Sequence, residues 1–135
     1  MNIAYVNLRV GNLEKSIQFY QDILGMQLQR TVDNDEYRYS LAWLGFSKLG
    51  EGTGSGVELT YNWDTSQYEL GNGFGQIVLA VDDVYATADQ IKQRGWSLTR
   101  EAGPVKGGTS VIAFLEDPDG YRIELIQPIK PDSSF

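Results

Sequence analysis

Residues 5–20 laid on residues 76–91 reproduce one pattern twice: an apolar strand ending at Val10 or Val81, a polar turn, and apolar positions at helical spacing. In the first copy Leu13, Ile17, Tyr20 and Leu24 recur every three or four residues, and in the second Val84, Ala88 and Ile91 do the same. That spacing predicts an amphipathic helix in each half. Both patterns stop at glycine, Gly25 and Gly95, where a helix C-terminus needs a residue that tolerates positive φ. The duplication implies one core plan used twice.

Each half continues with strand patterns, at 26–30, 38–46 and 56–61 in the first and at 97–100, 110–116 and 121–127 in the second. Val57-Glu58-Leu59 and Ile123-Glu124-Leu125 each set one carboxylate between two apolar neighbours, so Glu58 and Glu124 point to the face opposite those neighbours. Each half reads βαβββ. The expectation is an α+β chain of two tandem modules, about 1–63 and 72–128, forming a single domain over 1–130 with a flexible tail at 131–135. Two carboxylates at equivalent places of a duplicated scaffold suggest a site on a pseudo-twofold axis.

Charge and composition narrow the chemistry. Eleven basic against 18 acidic side chains give a formal charge of −7, which argues against nucleic acid or an anionic membrane as partner, since both reward a basic surface. There is no Cys and no His, so disulfides, thiolate zinc sites, a Cys nucleophile, a Ser-His-Asp triad and every imidazole metal ligand are excluded. Residues 1–10 lack the basic start and long apolar run of a signal peptide, and the longest clean apolar stretch, 77–81, is too short to span a bilayer. A cytoplasmic location is expected.

Several segments together are specific: Leu8-Arg9-Val10-Gly11-Asn12-Leu13, Glu58-Leu59-Thr60-Tyr61-Asn62-Trp63, Tyr68-Glu69-Leu70-Gly71, the run from Arg100 to Thr109, and Asp117-Pro118-Asp119-Gly120-Tyr121. From about Leu8 to Ile126 the chain closely resembles glyoxalase I, or lactoylglutathione lyase, within the vicinal-oxygen-chelate superfamily of paired βαβββ modules. The resemblance implies a curved sheet around a metal cup and, as in small bacterial members, a homodimer with sites at the interface. In that family four side chains hold a divalent ion, usually nickel or zinc. Glu58 and Glu124 match the two carboxylate ligands, and Glu124 falls at the position of the base that moves the substrate proton. Tyr5 stands where the family has His or Gln, and Gln76 stands where it has His.

The family reaction isomerises the hemithioacetal of glutathione and methylglyoxal to S-lactoylglutathione by a proton shift that needs a base and a Lewis acid. Two carboxylates neutralise a dication, and a Gln carbonyl is a legitimate oxygen ligand. A phenol must lose its proton to bind well, so Tyr5 is the weak member of the set. All-oxygen ligation favours harder ions such as magnesium or manganese over nickel and zinc, with cobalt a further candidate, and weaker binding or none is the expected consequence. The alternative for Tyr5 is an aromatic residue filling the cup or the core, and for Gln76 a hydrogen-bonding partner of a glutamate. Arg9 and Asn62 match positions that hold the γ-glutamyl end of glutathione. Arg100, Lys106 and Gly107 lie in a loop resembling the clamp on its glycyl carboxylate. Trp43, Phe46, Trp63 and Phe114 are expected in core packing, with pocket lining as the other option. Three functions follow: a glyoxalase I with an altered metal shell, a protein that binds glutathione conjugates without turnover, or another superfamily activity such as drug sequestration or thiol transfer.

Overall fold

In a computed structural model that describes residues 1–47 and 55–127, the chain separates into two units, Met1–Glu69 and Leu70–Phe135. The expected tail lies outside the described residues. The first unit runs β1 (Tyr5–Arg9), α1 (Leu13–Gln18), a π-helical turn (Phe19–Ile23), β2 (Gln27–Asn34), β3 (Tyr39–Gly45) and β4 (Gly56–Asn62). The second runs β5 (Ile77–Ala80), α2 (Val84–Gln93), β6 (Arg100–Pro104), β7 (Val111–Glu116) and β8 (Arg122–Gln127). Each unit is one four-stranded sheet of the same topology, β1-β4-β3-β2 and β5-β8-β7-β6, in which the first and last strands pair in parallel. The α+β class and the two βαβββ modules are those expected.

The helices begin alike. Asn12 and Asp83 each accept a hydrogen bond from the main-chain N–H three residues on, at 3.0 and 3.1 Å, satisfying a donor that the first turn leaves without a partner. They also end alike, with Gly25 at φ +80° and Gly95 at φ +91°. Between these ends the first helix departs from expectation. Of the predicted stripe only Tyr20 is fully buried, while Ser16, Phe19 and Ile23 supply the rest of the packed face. The physical reason is the π turn, whose wider spacing brings the adjacent Phe19 and Tyr20, rings edge-on at 5.0 Å, onto one buried face. In α2 the predicted Val84, Ala88 and Ile91 are all buried.

Alternation in the strands then divides each sheet into two faces. Leu8, Ala42, Leu44, Val57 and Leu59 are buried in the first unit, and Ala113, Leu115, Ile123 and Leu125 in the second. The helices pack on these faces. The opposite face of the first sheet carries Tyr5, Asn7, Arg9, Trp43, Glu58, Thr60 and Asn62, exposed or half-buried. The corresponding face of the second carries Val78, Phe114, Arg122 and Glu124.

Two expectations shift in the second unit. The strand predicted at 97–100 forms instead at Arg100–Pro104, because that is the stretch in register with β7; before it, Trp96 Nε1 donates to the Glu116 carbonyl and Thr99 N to the Phe114 carbonyl, both at 2.8 Å. The expected clamp loop is the hairpin between β6 and β7. It is closed by Val105 N donating to the Ser110 carbonyl at 2.8 Å, with Gly107 at φ +78°. Lys92 of α2 donates to Glu101 of β6 at 2.8 Å; this bond and the nearby charge hold the Lys92 ammonium above its usual pKa. The Asp-Pro-Asp-Gly-Tyr turn is built by buried Asp117, whose Oδ1 accepts from the N–H groups of Asp119 and Tyr121 at 2.9 Å each, and by Gly120 at φ +91°.

Candidate functional site

The residues expected to carry chemistry fall into one row across each sheet. In the first unit Asn7 is in register with Glu58, and Glu58 with Trp43, on adjacent strands β1, β4 and β3. Asn7 Nδ2 donates to Glu58 Oε1 at 2.8 Å, and Trp43 Nε1 donates to Glu58 Oε2 at 2.6 Å. Each carboxylate oxygen thus holds one N–H. Asn7 Nδ2 also donates to Thr60 Oγ1 at 2.8 Å, and the Arg30 guanidinium stands 5.3 Å over the Trp43 ring.

Tyr5 sits two residues before Asn7 on the same face, in register with Gly56, which is in register with Gly45. Its hydroxyl donates to Gln29 Oε1 at 2.5 Å, and Gln29 Nε2 donates to the Ser47 carbonyl at 2.8 Å. Gln29 reaches Tyr5 from β2 because the register slips between Leu28 and Arg30 and because Gly45 leaves room: a Cβ there would lie 2.8 Å from Gln29 Nε2.

In the second unit Val78 is in register with Glu124, and Glu124 with Phe114. Gln76, two residues before Val78, donates from Nε2 to Glu124 Oε1 at 3.0 Å. Among the described residues Glu124 Oε2 receives no hydrogen bond from protein. Val78 and Phe114, at the places of Asn7 and Trp43, offer no polar hydrogen.

Other predicted residues distribute as follows. Arg9 and Asn62 share the open face of the first sheet with Glu58, and Asn62 Nδ2 donates to the Tyr68 hydroxyl at 3.2 Å. Lys106 and Gly107 are exposed in the β6–β7 hairpin. Arg100 points into that hairpin: Nη1 donates to the carbonyls of Glu101, Gly103 and Ile112 at 3.3, 3.3 and 3.0 Å, and Nη2 to that of Pro104 at 3.0 Å. Its donors therefore serve the main chain. Among the described residues no three His, Cys, Asp or Glu side chains gather as a metal cage. A cavity of ≈ 310 Å³ in the second unit, lined by Leu70, Phe74, Glu116 and Arg122 among others, includes none of the candidate residues.

Asn7 and Gln29 were not singled out by sequence reasoning. Period-two alternation places Asn7 on the face of Tyr5 and Arg9, but its neighbour Glu58 comes from a parallel register between strands 51 residues apart, which no local pattern encodes. Gln29 depends on a bulge and a glycine on another strand.

A duplicated βαβββ sheet with a glutamate on each open face defines a class of protein, and comparison with known families agrees. The chain belongs to the Glyoxalase/Bleomycin resistance protein/Dioxygenase superfamily, whose family model matches residues 2–125. Within it the chain is 58% identical over 125 residues to a probable lactoylglutathione lyase of Vibrio parahaemolyticus, covering 93% of this chain and 89% of that protein. It is 55% identical over 127 residues to the lactoylglutathione lyase of Haemophilus influenzae, covering 94% and 93%. Glyoxalase I from Zea mays superposes with a TM-score of 0.88 at 46% identity over 96% of this chain; the chain spans 45% of that longer protein.

Proposed function

We propose that the chain is a lactoylglutathione lyase of the glyoxalase I type, isomerising the hemithioacetal of glutathione and methylglyoxal to S-lactoylglutathione. The observation that carries this reading is 58% and 55% identity, over more than nine-tenths of the chain, to proteins bearing that name. A homodimer with interfacial sites and a cytoplasmic location belong to the same proposal and rest on the resemblance alone. Among the described residues no helix is long and apolar enough to cross a membrane.

The activity implies a divalent ion, and most of the donor set fits one. Glu58 and Glu124 balance its charge, and Gln76 keeps its carbonyl oxygen available because its amide nitrogen makes the bond to Glu124. Tyr5 fits poorly, since its hydroxyl proton is committed to Gln29 and a phenol ligates well only after losing that proton. The oxygen-only set favours magnesium or manganese over nickel or zinc, with cobalt a further candidate. When bound, the ion supplies positive charge for the substrate oxygens that become negative as the proton leaves carbon.

The chain's own residues divide the remaining work. Glu124 is the proposed base, with Gln76 orienting one of its oxygens and the other unclaimed by protein among the described residues. Glu58, bonded at both oxygens, is a fixed anion. Arg9 and Asn62 are proposed to hold the γ-glutamyl end, where a guanidinium suits a carboxylate through paired hydrogen bonds. Lys106 and the Gly107 main chain are proposed for the glycyl carboxylate, with Arg100 bracing the hairpin that presents them. The direct contact expected of Arg100 is proposed through the guanidinium N–H groups that do not meet these carbonyls.

Purified protein assayed on the hemithioacetal with nickel, zinc, cobalt, manganese and magnesium in turn tests the reading. Turnover with at least one ion is expected, and none with any ion overturns it. One observation favours a second reading, binding without turnover: the Tyr5 hydroxyl proton is committed to Gln29, which leaves the donor set a ligand short. In that case a glutathione conjugate still binds, and Arg9→Ala weakens it.

A further inference from the structure

The two open sheet faces provide an internal control. Both units fold the same way, yet only the first surrounds its glutamate with donors. Val78 and Phe114 stand at the matching places of the second unit, so the fold does not require a donor on either side of the acid. An acid on an open face would also find donors in water, so two protein N–H groups aimed at its two oxygens are not needed for solvation. Their effect is geometric: one donor per oxygen, from strands on opposite sides of β4, fixes both the position and the plane of the Glu58 carboxylate. Trp43 is itself held, since the Arg30 guanidinium over its ring favours one orientation of the indole.

We propose that Asn7 and Trp43 are positioning residues that clamp Glu58 from its two neighbouring strands, fixing the position and plane of its carboxylate. The clamp rests on the proposed function for its purpose but not for its existence. Neither donor competes with a cation, because each N–H takes one of several lone-pair directions on its oxygen and leaves the others open. Hydrogen bonds from neighbouring side chains orient a ligating carboxylate before an ion arrives, and losing them commonly costs roughly 10- to 100-fold in affinity.

Three variants test it in the full chain: Glu58→Gln, Trp43→Phe and Asn7→Leu, the last two also combined. The first readout is the ¹H–¹⁵N spectrum of the ion-free protein. Trp43→Phe identifies the Trp43 indole N–H among the three tryptophans; a charge-assisted bond shifts it downfield, and Glu58→Gln is expected to move it back. The second is Mn²⁺ affinity from the electron paramagnetic resonance of free ion, expected to fall roughly 10- to 100-fold in the combined variant, with kcat lowered and KM for the hemithioacetal little changed. An indole resonance indifferent to Glu58→Gln, or Mn²⁺ affinity within about twofold of the parent in the combined variant, overturns the clamp. If Trp43→Phe fails to fold, Asn7→Leu on the exposed edge strand decides by the same two readouts, with the indole signals assigned through bonds. A parent that binds no Mn²⁺ overturns the clamp's role in ligation, whereas absence of turnover with every one of the five ions overturns the proposed activity and leaves the clamp to its indole readout.

Discussion

The row Arg30–Trp43–Glu58–Asn7 in the first sheet and the row Arg100–Phe114–Glu124–Val78 in the second occupy matching registers. Only the acid and the arginine agree in type, and even the arginines differ in use: Arg30 stacks on Trp43, while Arg100 donates to carbonyls of its hairpin. On the helix-covered side of the same strands the two units match closely, with Leu59 and Leu125 both buried two residues or fewer from their glutamates. The difference shows where a duplicated fold tolerates divergence. Core faces are constrained by close packing, whereas the open faces acquire donors, apolar groups or arginines without changing the backbone.

Four substitutions break or sharpen this comparison. The largest effect is expected from Glu124→Gln, which keeps the shape but removes the proposed base; kcat for the hemithioacetal should fall about 10²- to 10⁴-fold, and steady-state kinetics showing activity near the parent would transfer the base role to another group. Next come the matched core leucines. Leu59→Ala and Leu125→Ala should each destabilise the protein by about 2–5 kcal/mol in denaturant unfolding, and a cost below about 1 kcal/mol at either would show that the two cores are not equivalent. The smallest effect, and the most direct probe of the asymmetry, is Val78→Asn, which gives Glu124 the amide neighbour that Glu58 has. A roughly tenfold lower kcat is expected, since one hydrogen bond to a charged group is worth about 1.5–3 kcal/mol; unchanged kcat would mean that the Glu124 oxygen left without a protein donor does not matter to the reaction.

Much of the fold was legible in local pattern. The helix in each half, the glycine stops and the outward glutamates all rest on short-range stereochemistry. The π turn was not, because packing Phe19 and Tyr20 on one face is decided by the sheet beneath them. Nor was the start of β6: Ala102, Gly103 and Pro104 have no apolar alternation, and their strand exists because β7 pairs with it. Of the site, the acids were visible as chemistry in an apolar setting, and Gln76 as a partner of a glutamate was one of its two foreseen roles.

The sequence by itself determined the duplicated βαβββ plan, the family, the absence of imidazole and thiolate ligands and the identity of the two acids. The plan, the excluded ligands and the acids follow from composition and from periodicities a few residues long, and the family from the resemblance of longer segments such as Glu58–Trp63 and Asp117–Tyr121. Only the tertiary structure decided who holds each acid: Asn7 and Trp43 reach Glu58, Gln76 reaches Glu124, and Gln29 takes the Tyr5 hydroxyl. The physical reason is that a hydrogen bond of about 3 Å depends on strand register and bulges set by distant segments, information that a linear reading of neighbours does not contain.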